Sequence, residues 1–167
     1  FSPKLPNAKV HGVVLVAPAM GVPQRYYAKF ANWLSEQGFI AVTFEYSGMG
    51  ESLQRGNTSL KKITSNIFDW ANEANLILHT FQQRYSEVPL YWVGHSMGGQ
   101  LIGLVDHGLL RKAVTVATGS GYWKENSPKL RQKVPIFWYL AAPILTPIFG
   151  YFPGKRLKMV DDLPKGV

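Results

Sequence analysis

Cysteine is absent from all 167 residues of the chain. Disulfide scaffolds, thiolate nucleophiles and cysteine-based zinc sites are therefore excluded, and the redox state of the compartment is left open. Acidic residues are scarce: the chain has 10 acidic and 18 basic residues, and its formal net charge is +8. The basic residues are spread along the chain, most densely between residues 124 and 165, and no nucleic-acid-binding motif accompanies them. We therefore expect no nucleic acid partner.

An initiating methionine and a secretory signal are also lacking. The chain starts at Phe1, and no charged segment followed by an apolar run comes after it. We therefore expect a cytoplasmic protein in which residues are missing upstream of Phe1.

Charge is missing over one long stretch, residues 134–152. That length would cross a bilayer, but Pro135, Pro143 and Pro147 each remove a backbone donor and kink a helix. We predict instead a helical cap that covers the functional site and offers an apolar wall. A cap that only packs on the core stays an alternative, since apolar stretches are usually core. Contact with a membrane stays open but is not favoured.

Along the first two thirds of the chain, continuous apolar runs typical of buried strands alternate with segments whose apolar residues repeat at the helical period. Continuous β-rich runs at residues 10–17, 39–44 and 112–118, and a short apolar run that starts at Leu90 and ends before the turn at Gly94, predict four strands. Helical spacing at residues 26–37 and 65–85, and again after residue 96, predicts three intervening helices. Loops are expected at residues 1–9 and 45–62. The alternation is typical of an α/β fold with a parallel sheet, and we predict a core over residues 1–120 and the start of a helical cap over residues 121–167.

The third predicted strand leads directly into the pattern Gly94-x-Ser96-x-Gly98. This is the spacing of a nucleophile elbow, in which a serine on a strained strand-to-helix turn lifts its hydroxyl clear of the backbone. Side chains two residues away on either side would collide there, and glycine removes the collision. The helix that follows points its N-terminal amides at the place where an oxyanion would form. The alternative is a plain glycine-rich turn with an inert serine.

Three motifs in the same order give the chain a resemblance to the α/β-hydrolase fold family. More narrowly, it resembles bacterial predicted hydrolases related to the serine-aminopeptidase-like esterase and lipase group. The motifs are Pro18-Ala19-Met20-Gly21, Phe44-Glu45-Tyr46-Ser47-Gly48-Met49-Gly50-Glu51-Ser52 and Gly94-His95-Ser96-Met97-Gly98-Gly99. Relatives often have His-Gly where Pro18-Ala19 stands, and Asp and Arg where Glu45 and Ser47 stand. The resemblance covers roughly residues 10–167, the N-terminal part of such a protein.

The resemblance implies that Ser96 is a nucleophile that forms an acyl-enzyme. It further implies that the backbone N–H groups of Met97 and Met20 stabilise the oxyanion. An ordinary turn residue is an equal alternative for Met20. Residues that bind the substrate cannot be named from the sequence.

A base and an acid for Ser96 are not evident. In this fold the order is serine, acid, histidine, yet no histidine follows residue 107. We interpret the four histidines as structural: His11, His79, His95 and His107. His107 is expected near the far end of the helix after Ser96, and Asp161 and Asp162 are expected to be solvated. We therefore expect an incomplete hydrolase that turns over little substrate as the 167-residue chain.

Three functions remain in competition. The favoured one is a carboxylic-ester hydrolase whose substrate has an apolar acyl or alcohol part, as the uncharged residues 134–152 suggest. The second is an aminopeptidase or amide hydrolase, because the motifs do not separate esters from amides. The third is a non-catalytic, membrane-peripheral module that keeps the fold as a scaffold. The acyl chemistry implies no metal ion or organic cofactor, and the oligomeric state cannot be predicted.

Overall fold

A computed structural model describes residues 1–3, 9–55 and 59–167, with the side chains of residues 54 and 55 left aside. Residues 4–8 and 56–58, which belong to the two predicted loops, lie outside the described residues. The strands are β1 (Gly12–Ala17), β2 (Phe39–Thr43), β3 (Leu90–His95) and β4 (Leu110–Val116). The α-helices are α1 (Ala28–Glu36), α2 (Gly50–Arg55), α3 (Ile67–Arg84), α4 (Met97–Gln100), α5 (Pro128–Ile136) and α6 (Ala142–Phe149).

The four strands form one parallel sheet in the order β2-β1-β3-β4. All six residues of β1 are buried, because β1 lies between two strands and is covered on both faces. This is why its sequence is a continuous apolar run rather than an alternating one. The predicted fold class, an α/β sheet flanked by helices, is confirmed.

Helices cover both faces of the sheet. On one face, α3 buries Trp70, Ala71, Ala74 and Leu78 in the larger apolar cluster. On the other face, α1 buries Ala31 and Leu34 against β1 and β2. A capping box fixes the start of α3: the Asn66 side chain accepts hydrogen bonds from Phe68 N and Asp69 N, and Asp69 accepts one from Asn66 N.

The helix after Ser96 is much shorter than predicted. It ends at Gln100, a 3₁₀ turn over Leu101–Gly103 follows, and His107 begins a separate 3₁₀ turn. The prediction that His107 lies on this helix is therefore wrong. Farther along, a side chain from α3 holds the chain: Asn75 Nδ2 donates to Leu104 O at 3.3 Å, and Asn75 Oδ1 accepts from Asp106 N at 2.7 Å. These bonds satisfy backbone groups that a continuous helix would have paired within itself.

Two smaller boundaries also differ from the prediction. The predicted helix at residues 26–37 begins with a 3₁₀ turn at Gln24–Tyr27, and only Ala28–Glu36 is α-helical. Residues 50–55 were expected in a loop, but they form α2. The reason is Glu45, whose Oε2 accepts a hydrogen bond from Ser52 N at 3.1 Å in the first turn of α2.

The last part of the chain is helical and then returns to the core. A π-helical turn, Phe137–Ala141, joins α5 to α6, so residues 128–149 form one continuous helical run. Beyond it, Phe152 and Leu163 exchange backbone hydrogen bonds at 2.9 and 3.0 Å and are buried in the larger apolar cluster. No helix among the described residues combines the length and the apolar character that crossing a membrane requires. The division of the chain at residue 121 stays a prediction.

Asp161 and Asp162 are less solvated than predicted. The side chain of Asp161 lies 3.3 Å from Lys155 Nζ, and Asp162 Oδ1 accepts a hydrogen bond from Lys155 N at 3.0 Å. The backbone N–H of Asp161 donates to Gly21 O at 3.3 Å. Both carboxylates are therefore part of a structured return segment that lies against the loop after β1.

Candidate active site

Ser96 lies between β3 and α4 in a backbone conformation that few side chains adopt. Its φ is 51° and its ψ is −113°, a combination that persists only where the surroundings enforce it. Ser96 N donates to Val116 O at 2.9 Å, and Ser96 O accepts from Gly99 N at 2.9 Å and from Thr118 Oγ1 at 3.1 Å. The residue is partly exposed, and its hydroxyl has no hydrogen-bond partner in the described part of the chain. The strained turn predicted from the spacing is present.

Gly94 and Gly98, two residues before and two residues after Ser96, lie where no side chain fits. A Cβ on Gly94 would lie 2.5 Å from Gly98 O and from Gly99 Cα, and a Cβ on Gly98 would overlap the carbonyl of Ala17. The predicted steric role of glycine at positions 94 and 98 is therefore confirmed. Gly99 is equally constrained, since its Cβ would overlap the Thr118 hydroxyl. Sequence reasoning missed this third requirement because Thr118 is distant along the chain.

Two backbone N–H groups, one in this turn and one in the loop after β1, are not used by the fold. Met97 is buried as the first residue of α4, and its N–H has no acceptor among the described residues. Met20 lies in the loop after β1, and its N–H likewise has no acceptor in that part of the chain. The neighbouring Ala19 is held on both sides, because Ala19 N donates to Tyr27 Oη at 2.9 Å and Ala19 O accepts from Val22 N at 3.2 Å.

Tyr27 connects this loop to His95, the last residue of β3 and the one before Ser96. Its hydroxyl accepts the Ala19 N–H and lies 2.9 Å from Nδ1 of His95. Burial raises the pKa of Tyr27, although the Ala19 N–H acts in the opposite direction. The hydroxyl therefore keeps its proton at neutral pH. Helical spacing at residues 26–37 gave no signal of this role for Tyr27.

The four histidines are engaged away from the Ser96 hydroxyl. His95 pairs with Tyr27, and His79 lies 3.6 Å from the carboxylate of Asp106. His107 Nδ1 lies 3.3 Å from Val105 O, and the ring of His11 packs edge-on against Phe39 at 5.6 Å. The described residues therefore place no imidazole in hydrogen-bond contact with Ser96.

The second motif forms a loop held by carboxylates and backbone amides. Glu45 Oε1 accepts from Gln24 N at 2.9 Å, and Glu45 also caps α2 through Ser52. Glu73 on α3 accepts from both the N–H and the hydroxyl of Ser47. The Asp and Arg that relatives often have at positions 45 and 47 are thus replaced here by hydrogen bonds that need no side-chain cation.

Two cavities of about 360 Å³ each lie near this region, and Ser96 lines neither of them. The more polar cavity lies between the Gly48 loop and the return segment, next to Arg25, Tyr151 and Asp162. The apolar cavity lies on the α1 side of the sheet, next to Tyr26, Phe30 and Val116.

A parallel sheet with a strained serine between a strand and a helix defines the α/β-hydrolase class. The model of the family described as "Serine aminopeptidase, S33" matches residues 8–149, so the chain belongs to this family. The predicted resemblance is confirmed.

Two solved structures share the fold. One is a highly thermostable carboxyl esterase from Bacillus coagulans in complex with glycerol, with 20% identity and a TM-score of 0.62; the match covers 84% of this chain and 44% of the esterase. Another is a soluble variant of monoglyceride lipase from Saccharomyces cerevisiae in complex with a substrate analogue, with 19% identity and a TM-score of 0.66; the match covers 88% of this chain and 47% of the lipase. The chain thus spans less than half the length of either. A search of curated proteins finds no match.

Proposed function

We propose that Ser96 is the nucleophile of a serine hydrolase that acts on carboxylic esters with an apolar acyl or alcohol part. The observation that carries the proposal is the conformation of Ser96, with φ at 51° and a hydroxyl that no described residue engages. Backbone strain at non-glycine residues clusters at active sites, where the surrounding structure enforces it. The esterase and the lipase among the structural neighbours favour esters as the substrate class.

The proposed reaction starts with attack of Ser96 Oγ on the ester carbonyl carbon while a general base takes the hydroxyl proton, which forms a tetrahedral intermediate. The charge on the former carbonyl oxygen is stabilised by the N–H groups of Met97 and Met20, worth on the order of 3 kcal/mol each. Collapse of the intermediate expels the alcohol, which takes up a proton, and leaves an acyl-enzyme on Ser96. Water then attacks the acyl carbon, and the carboxylic acid leaves with the Ser96 hydroxyl restored.

Ser96 requires a base that the described residues do not offer. All four histidines have other contacts, and none contacts the Ser96 hydroxyl. We therefore propose that the histidine and the carboxylate that orients it lie outside residues 1–167, and that the 167-residue chain alone hydrolyses esters only slowly.

A fluorophosphonate probe tests the nucleophile. In a form of the protein extended beyond residue 167, we expect the probe to label Ser96, and Ser96→Ala to abolish labelling. Ser127→Ala is the matched control, because the side chain of Ser127 makes no capping hydrogen bond at the start of α5 and the change should leave labelling intact. Labelling that survives Ser96→Ala would overturn the proposal, and a failure to label any form would favour a non-catalytic scaffold.

A substrate panel separates esters from amides. The description of the family names an aminopeptidase, so an amide or peptide substrate is the second candidate. We expect hydrolysis of p-nitrophenyl esters to exceed that of the matching p-nitroanilides, and the opposite ranking would establish the second candidate. If the 167-residue chain turned over esters at enzyme-like rates that depend on Ser96, the inference of an external base would be wrong.

A further inference from the structure

The helical run at residues 128–149 exposes a continuous apolar surface. Four residues spaced four apart, Ile136, Leu140, Ile144 and Ile148, are each between 49% and 70% exposed. Residues with this spacing follow one another along the same side of a helix. Tyr139, three residues after Ile136, is 72% exposed and adjoins the row. We call these five residues the apolar ridge.

The ridge faces outward because the other side of the run is anchored. Phe137 and Ala142 pack against the larger apolar cluster, and the ring of Phe137 lies 5.5 Å from that of Phe152, edge to face. The run therefore cannot turn about its axis to hide the ridge without losing these contacts. Exposed apolar patches of this kind mark sites where another surface binds.

Cations flank the ridge at both ends. Lys129, Arg131 and Lys133 precede it, and Lys155, Arg156 and Lys158 follow it. No acidic residue occurs between positions 126 and 160. Arg156 lies over the ring of Phe149, 4.9 Å from its centroid, which brings the second cation group next to the end of α6.

We propose that the ridge and its flanking cations dock the protein onto an anionic phospholipid surface. Aliphatic side chains would enter the outer acyl region, Tyr139 would lie at the headgroup level, and the cations would contact lipid phosphates. A protein partner would be expected to offer directional hydrogen bonds, yet the ridge presents almost no polar group to receive them. Pro143 and Pro147 in the run suit a helix that lies in the interface and does not cross it. The proposal is independent of the reaction at Ser96.

Vesicle sedimentation tests the electrostatic part. We expect the protein to bind vesicles of phosphatidylcholine with 30% phosphatidylserine in 0.05 M salt and to be released in 0.5 M salt. Each cation near the surface contributes about fivefold in affinity. The triple change Lys129→Gln, Arg131→Gln and Lys133→Gln should therefore weaken binding by about a hundredfold. Binding that ignores both salt and this variant would overturn the proposal.

A matched pair of tyrosines tests the apolar part. Tyr139 on the ridge is 72% exposed, and Tyr26 in the 3₁₀ turn before α1 is 69% exposed. We expect Tyr139→Ala to weaken vesicle binding by about fivefold and Tyr26→Ala to leave it unchanged, with circular dichroism used to check that both variants fold. Equal effects of the two changes would overturn the proposal. So would loss of binding in a form extended beyond residue 167, since the ridge would then be covered by protein.

Discussion

The hydroxyl of Tyr27 lies 2.9 Å from Nδ1 of His95, the residue immediately before Ser96. The same hydroxyl accepts the N–H of Ala19, the residue immediately before Met20. One buried phenol thus joins the positions that precede the proposed nucleophile and the proposed second oxyanion donor. Relatives often have His-Gly where this chain has Pro18-Ala19, and here Tyr27 provides an anchor for the altered loop.

Replacing Tyr27 by phenylalanine should loosen this loop. The change leaves the Ala19 N–H buried without an acceptor, which costs about 1–3 kcal/mol. We expect urea unfolding to show a loss of stability of that size, and fluorophosphonate labelling of Ser96 in the extended form to slow. Tyr26→Phe is the control, because Tyr26 is adjacent, exposed and forms no hydrogen bond through its hydroxyl in the described part of the chain. Equal behaviour of the two variants would show that the Tyr27 hydroxyl positions nothing.

Replacing Gly94 by alanine should be severely destabilising. The added Cβ would lie 2.5 Å from backbone atoms of Gly98 and Gly99, which cannot move without disturbing α4. We expect a loss of about 3 kcal/mol or more in urea unfolding, at the upper end of overpacking costs. Gly103→Ala is the matched control, since its Cβ would meet no neighbouring atom within 4 Å. A Gly94→Ala variant as stable as Gly103→Ala would contradict the close approach of β3 and α4.

The hydroxyl of Tyr46 is buried and has no hydrogen-bond partner among the described residues. The ring itself is well packed and stacks on Trp70 at 4.9 Å. Tyr46→Phe keeps the ring and removes the unsatisfied group, so we expect unchanged stability or a gain of up to about 1 kcal/mol at pH 8, measured by urea unfolding. A loss of more than about 1 kcal/mol would indicate that the hydroxyl has a partner.

The same variant should change the alkaline limb of the stability profile. Burial raises the pKa of Tyr46 above its ordinary value of 10.0, so above that pH the unfolded chain loses this proton while the folded chain keeps it. The unfolded state then binds fewer protons, and stability falls as pH rises. We expect Tyr46→Phe to lose less stability than the unmodified protein between pH 8 and about pH 10.5. Tyr139→Phe, at an exposed tyrosine, is the control, and an equal change in both would refute the assignment.

Local patterns predicted the parts of the fold that depend on neighbours in sequence. The apolar run of β1 and the Gly94-Ser96-Gly98 spacing each carry their cause within a few residues. The parts that were missed depend on distant side chains. Asn75 of α3 holds the backbone of Leu104 and Asp106, where a helix was predicted, and Glu45 accepts a hydrogen bond from the first turn of α2 inside a predicted loop. Neither effect is visible in periodicity, because each needs the tertiary structure to bring a side chain to these backbone groups.

The return segment and the Tyr27 contact have the same explanation. Phe152 and Leu163 become core residues only once α5 and α6 have turned the chain back. The Tyr27 hydroxyl meets its two partners only after α1 packs on the sheet. For the candidate site, the sequence therefore supplied Ser96 and its glycines, and the structure added the side chains that support them.

Strand β4 has six exposed residues out of seven and pairs only with β3 in the described part of the chain. Its outer edge pairs with no described strand and is a template onto which another strand can add. Only Arg111 and Lys112, at the start of the strand, offer charge repulsion against such pairing. Val116 also supplies the carbonyl that holds Ser96 N. Any strand that pairs with this edge, including one from another copy during aggregation at high concentration, will therefore affect the backbone of β4 that positions Ser96.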